Sequence, residues 1–272
     1  VPAGQDGADG FRTSTCLFTV EKGTVMMKRC YASTAWMIAA GVAFWMMASA
    51  TLVALEPAAA PAAQAERIPT LLLTGGPVHD GKAVGDIMQS VLEKSGRFDV
   101  TRVQDDLDAL LPDRIAPFKL VVFYWTLGEI TDAQKRGLLN HIASGNGFVT
   151  CHSGADSFRG DPEYRALVGG YFITHPQYRT YQVSVTKTDS PITRGIEEFM
   201  ITDEQYITDF DPRVQVLANG LYQGRTMPVL WTQDWGKGRV YYNALGHDPQ
   251  ACQQEMFQLL LVRGALWAAG TE

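Results

Sequence analysis

The sequence predicts an α/β domain built on a doubly wound, mostly parallel sheet with added antiparallel edge strands, and three observations predict it. Short, continuous apolar runs stand at 68–74 (IPTLLLT), 119–125 (KLVVFYW) and 148–151 (FVTC), the pattern of strands covered on both faces. Through the first half these runs alternate with helical patterns, as a parallel sheet requires. From residue 181 the style changes to alternating polar and apolar residues (YQVSVTK, 181–187), the mark of half-exposed antiparallel strands.

The first quarter of the 272-residue chain lies outside this pattern. Met26-Met27-Lys28-Arg29 is a short basic start, no residue between Tyr31 and Leu55 carries a charge, and a Pro/Ala tract ends in Ala63-Gln64-Ala65. This order is that of an export signal at 26–65, cleaved before Glu66. The apolar run is also long enough to span a bilayer, so an uncleaved N-terminal anchor is the alternative, and only then would a membrane be a partner. Both readings place the rest of the chain outside the cytoplasm, in a bacterial periplasm or secreted. Residues 1–25 read as an upstream extension preceding the true start, and 66–272 as one domain.

Strand 68–74 breaks at Gly75-Gly76-Pro77, and His79-Asp80-Gly81 precedes a helix carried by Val84, Ile87, Met88, Val91 and Leu92. That turn lacks the lysine and the glycine spacing of a phosphate loop. A second strand follows at 98–103, then a helical turn at 107–111 closed by Pro112. The strongly β-prone run 119–125 is expected at the sheet centre. Thr131 or Asp132 caps a helix that Gly145 ends, with His141 inside it and no motif around it. Strand 148–151 delivers His152. Asp161-Pro162-Glu163 starts a helix over 162–168, and Gly169-Gly170 stops it. The segment 171–176, with His175, reads as irregular. Residues 199–202 lead into Asp203-Glu204-Gln205-Tyr206; 214–218 and 227–232 read as short strands. Trp235-Gly236-Lys237-Gly238 makes a hairpin whose glycines supply positive φ, and the last strand, 239–245, breaks at Gly246-His247-Asp248-Pro249. One amphipathic helix over about 250–269 closes the domain.

The formal charge is −6, and residues 1–65 carry as many acidic as basic side chains, so the folded domain keeps that charge. A mildly acidic domain without a basic stripe has no electrostatic footprint for nucleic acid. Of the four cysteines only Cys151 and Cys252 fall after residue 65; one ends a strand, the other opens a helix, and both are expected as buried free thiols. A homo-oligomer is compatible with the composition.

GFVTCHSG (147–154), PEYRALVGGYFITHP (162–176), DEQY (203–206), GKGRVYYNALGHD (236–248) and LWAAG (266–270), in that order, resemble the ThuA-like family, named for trehalose utilisation. The resemblance covers about residues 68–270. It implies a flavodoxin/glutamine amidotransferase-like fold and a role in carbohydrate catabolism, with a disaccharide, glycoside or keto-sugar derivative as the small-molecule carbohydrate partner. In glutamine amidotransferases the turn after this strand carries a cysteine nucleophile; here His152 occupies that place, with Cys151 one residue early and facing the other way. The resemblance therefore implies a sugar-active hydrolase or lyase rather than a glutaminase. Pro77-Val78 before His79 departs from the family, where a polar residue is common.

His79, His152 and His247 each follow a strand expected to be parallel, and ligands in such sheets bind beyond the carboxyl ends of the strands. The three histidines are candidate ligands for a divalent metal, zinc or similar, and His152 and His247, with Glu204 or Asp248 as carboxylate partner, are equally candidates for acid–base catalysis. His79, His175, Tyr206 and Ser153 are candidate substrate contacts. A G-x-S-x-G elbow is absent, which argues against Ser153 as a nucleophile. The alternative to an enzyme is a non-catalytic sugar-binding or scaffold domain that keeps the crevice without the chemistry.

Overall fold

A computed structural model describes residues 66–272; the expected extension and export signal lie outside the described residues. Its elements are β1 (Ile68–Gly75), α1 (Gly81–Lys94), β2 (Phe98–Gln104), α2 (Pro112–Ile115), β3 (Leu120–Trp125), α3 (Asp132–Ala143), β4 (Gly147–Cys151), α4 (Pro162–Val168), β5 (Gly170–Thr174), β6 (Arg179–Val185), β7 (Glu198–Asp203), β8 (Ile207–Phe210), β9 (Gln215–Tyr222), β10 (Arg225–Trp235), β11 (Gly238–Asn243), α5 (Pro249–Cys252) and α6 (Glu255–Ala269). Short 3₁₀ turns occupy Leu107–Leu110 and His152–Asp156. Among the described residues no helix is long and apolar enough to cross a membrane.

Nine strands form one sheet in the order β2-β1-β3-β4-β11-β10-β9-β6-β7. The five from β2 to β11 are parallel, and β10, β9, β6 and β7 add to them antiparallel. The predicted mostly parallel sheet with antiparallel additions is therefore what forms. Helices α1, α5 and α6 pack on one face and α2, α3 and α4 on the other, so β3 and β4 are buried on both sides, as their unbroken apolar runs require. The caps are those read from the sequence. Asp80 accepts from the Ala83 N–H, Thr131 and Gln134 form a reciprocal capping box, and Asp161 accepts from Glu163 and Tyr164 ahead of Pro162. Gly169 stops α4 in the left-handed conformation, φ 82°.

Four local expectations are corrected. Pro112 opens α2 instead of closing the turn before it, the first-turn position where its missing N–H costs nothing. Of the segment 171–176, residues 171–174 are not irregular: β5 pairs with β8 as a separate antiparallel ribbon, a partnership between residues 33–40 apart that local periodicity cannot show, and only His175-Pro176 lie outside it. The last helix is two helices, broken at Gln253-Gln254, where the Gln254 side chain clasps the Thr202 backbone of β7 through both its amide atoms. In the β10–β11 hairpin only Gly236 uses positive φ (62°). Gly238 is required for space instead, because a Cβ there would lie 2.0 Å from the Ile142 carbonyl oxygen.

Candidate functional site

The turns after β1, β4 and β11 carry His79, His152 and His247 to one end of the sheet. β3 lies between β1 and β4, and the chain reverses direction across the sheet at β1, the switch point where open α/β sheets form their crevice. The three imidazoles stand at the corners of a nearly equilateral triangle, with ring centroids 5.0, 5.1 and 5.1 Å apart and planes steeply inclined. Glu204, from the turn after β7, closes the group. Its Oε2 lies 3.2 Å from His247 Nδ1 and 3.5 Å from His152 Nε2, and those two nitrogens are 3.2 Å apart. One ligand atom from each of His79, His152, Glu204 and His247 falls within 4.8 Å of all the others.

His152 is fully buried and holds a left-handed backbone, φ 42°, uncommon for a residue with a Cβ. Tyr242 donates from its hydroxyl to the His152 carbonyl at 3.0 Å. The His152 Nδ1–H donates to the Ala244 carbonyl at 3.0 Å, which leaves Nε2 as the lone-pair nitrogen facing the cluster. The Tyr206 ring lies over the imidazole with centroids 3.8 Å apart. Gly154 lets the following turn fold back on β4, since a Cβ there would meet Thr150 Oγ1 at 1.7 Å. His79 Nδ1 is held by Thr126 Oγ1 at 2.6 Å, which fixes the orientation of the ring.

Burial, reinforced by the charges of His152 and His247, pushes the His79 imidazole down to about 3, so it is neutral at physiological pH. Burial alone would raise the Glu204 carboxyl, but hydrogen bonds and charge from His152 and His247 outweigh it and hold the group far below the usual carboxylate range. Hydrogen bonding to Glu204 raises His247 against the opposing effect of burial. Several acceptor atoms thus converge where only a proton or a cation can reconcile them.

The donor set fits a divalent metal such as zinc. Bond lengths of about 2.0–2.1 Å in a tetrahedral site put neighbouring ligand atoms about 3.3 Å apart. The His152, His247 and Glu204 atoms are separated by 3.2–3.5 Å, and the His79 atom falls within 4.8 Å of them.

The other predicted residues separate into those beside the cluster and those outside it. His175 is 42% exposed, with Nδ1 2.9 Å from Glu204 Oε1, at the mouth. Asp248 is the N-cap of α5, accepting from Ala251 at 2.7 Å, and is not one of the four clustered residues. Ser153 is fully buried, its hydroxyl without a hydrogen-bond partner among the described residues. Cys151 and Cys252 are free and buried, as expected, and burial pushes both thiols well up, the opposite of an activated nucleophile.

Four supporting residues are not among the candidates that the sequence offers for the site. Thr126 orients His79, and Tyr124 donates to the His247 carbonyl at 2.9 Å. Tyr178 places its ring 5.7 Å from that of His247. Asp203 accepts from the backbone N–H of Glu204, Gly246 and His247 at 2.8, 2.7 and 3.1 Å, and burial raises its carboxyl against those bonds. Position at the end of the 119–125 run was a usable signal for Thr126, and adjacency to Glu204 one for Asp203; Tyr178 offered none.

Comparison with known structures finds the same fold in a ThuA-like protein from Parabacteroides merdae, 24% identical, covering 75% of this chain and 90% of that one with a TM-score of 0.69. A ThuA-like protein from Bacteroides uniformis is 18% identical, covering 77% and 94% with a TM-score of 0.65. A β-galactosidase from Bacillus circulans is similar over 75% of this chain but only 31% of its own, at 14% identity and a TM-score of 0.54. No curated protein matches by sequence. The ThuA family description, trehalose utilisation, matches residues 70–268, nearly the whole domain and most of the chain. The chain belongs to the ThuA family.

Proposed function

We propose that this protein is an exported enzyme of carbohydrate catabolism that acts on a disaccharide, glycoside or keto-sugar derivative at the His79–His152–Glu204–His247 cluster. The observation that carries the reading is the convergence of four ligand atoms, from four separate turns, within 4.8 Å. Their spacing, the neutral His79 imidazole and the fixed orientation of His152 support a divalent cation, zinc or similar, held by these four side chains. Such a cation, when bound, supplies Lewis-acid polarisation of a substrate oxygen or of water. The Tyr206 ring lies over His152 and helps keep the cluster's shape. His175, exposed at the mouth and held against Glu204, is placed to bind a sugar hydroxyl.

The test is metal content of the purified protein together with turnover of trehalose and 3-keto-disaccharides. About one equivalent of metal per chain and loss of turnover in His152→Ala, with folding retained, are expected. Unchanged activity in that variant refutes the role of His152. No metal and no turnover, with measurable sugar binding, would favour a non-catalytic sugar-binding domain instead. Export is tested by N-terminal sequencing of secreted material, which should begin at Glu66.

A further inference from the structure

Strand pairing alone does not bring Glu204 to His247. β7, which ends just before Glu204, is the outermost strand of the sheet, with β10, β9 and β6 between it and β11. The two ligand-bearing turns are nevertheless in contact, Glu204 Oε2 and His247 Nδ1 being 3.2 Å apart.

Asp203 supplies a second link, through the backbone. It is fully buried, and its bonds go to three backbone N–H groups rather than to a cation. Oδ1 accepts from Glu204 and His247 together, and Oδ2 accepts from Gly246. One carboxylate therefore fastens the 203–204 turn to the 246–247 turn. A buried carboxylate is costly unless its oxygens are satisfied, and only an acceptor on both sides of the group suits donors converging from two turns. An Asn of the same shape would aim an NH₂ group at one of those N–H donors.

We propose that Asp203 is a positioning residue whose carboxylate clamps the turn carrying Glu204 to the turn carrying His247, and thereby sets the metal affinity of the cluster. It touches neither metal nor substrate. The inference rests on the reading of the cluster as a divalent-metal site.

The experiment compares the wild-type chain with Asp203→Asn and with a control, Gln254→Ala. The control removes the neighbouring clasp on Thr202 but leaves the Asp203 bonds in place. Zn²⁺ affinity is measured by competition with a chromophoric chelator, and ligand geometry by the visible spectrum of the Co²⁺-loaded protein. Asp203→Asn should lose about 10–100-fold in Zn²⁺ affinity, the usual effect of removing a group that orients metal ligands, and its Co²⁺ bands should weaken and shift. Gln254→Ala should melt earlier yet keep wild-type affinity and spectrum.

Wild-type affinity and spectrum in Asp203→Asn overturn the clamp while leaving the metal reading intact. A wild-type chain that binds neither metal overturns the metal reading and this inference with it. Should Asp203→Asn not fold, amide hydrogen exchange in the wild-type chain decides. The Glu204, Gly246 and His247 amides should slow by about tenfold or more when Zn²⁺ is added, and unchanged exchange refutes the clamp.

Discussion

Replacing Gly154 by Ala isolates the turn that presents His152. Gly154 does not use the left-handed region, so the cost of a methyl group there is steric rather than conformational. An added Cβ would lie 1.7 Å from Thr150 Oγ1 and 3.0 Å from Thr150 Cβ. Thr150 is itself fully buried, and its hydroxyl donates to the Phe123 carbonyl at 3.1 Å. Rotating Thr150 away breaks that buried bond, about 1–3 kcal/mol. Forcing the turn outward instead is overpacking, about 1–3 kcal/mol, and it moves the His152 backbone. By either route the expected loss is about 1–3 kcal/mol, read from urea unfolding midpoints at constant m-value. Thr150→Ala in the same chain removes the colliding oxygen, leaving the 3.0 Å contact to be relieved by a few tenths of an ångström. The double variant should therefore be more stable than the sum of the single effects by about 1–3 kcal/mol. Strict additivity, or a Gly154→Ala chain within about 0.5 kcal/mol of wild type, would show that the turn does not press on β4 as described.

Zinc added at about one hundred times its dissociation constant should stabilise the wild-type chain by about 2.7 kcal/mol. In a domain of this size that is a rise in Tm of about 5–11 °C. A chelator should reverse the shift and His152→Ala should largely lack it; equal shifts in both proteins would place the metal elsewhere. Tyr164→Phe removes the buried bond from the Tyr164 hydroxyl to the Gly154 carbonyl, 2.8 Å, and should cost about 0.5–1.5 kcal/mol in the same denaturation assay. No change would mean that this bond does not support the turn. Cys151 and Cys252 should resist iodoacetamide in the native protein and react on unfolding, as peptide mapping can show. Rapid native labelling of either contradicts the buried-thiol description.

The parallel half of the sheet was legible because its signals are local. Each of β1, β3 and β4 is a short apolar run bounded by turn or cap chemistry, and strands buried on both faces leave that imprint in consecutive residues. The positions of His79, His152 and His247 followed, because they stand just past strand ends whatever the order of the strands. Glu204 was visible only as an acid beside an aromatic residue. Its place against His247 depends on a strand at the far edge curling back, and on the Asp203 bonds across the turns, neither of which has a sequence period. The β5–β8 ribbon was missed for the same reason. Asp248 shows a limit of the sequence signal, because a cap and a catalytic acid share one residue type, and the structure shows the cap bond to Ala251.

The strain at His152 bears on which residue the turn was built to present. A non-glycine residue at φ 42° costs of order 1–3 kcal/mol and persists only where its surroundings over-determine it. Around His152 they do: its carbonyl is held by Tyr242, its Nδ1 by Ala244 and its ring by Tyr206. None of that scaffolding serves Cys151, whose thiol is buried inside β4 and pushed away from the thiolate form. If the turn existed only to connect β4 to the next segment, relaxing position 152 with His152→Gly would improve stability at no functional loss, because glycine adopts that φ freely. The opposite partition is expected. Removal of backbone strain should offset part of the lost packing, so unfolding free energy changes by less than about 2 kcal/mol, while metal binding and turnover collapse. A His152→Gly chain that takes up Zn²⁺ as tightly as the wild-type chain would show the imidazole to be incidental to the turn.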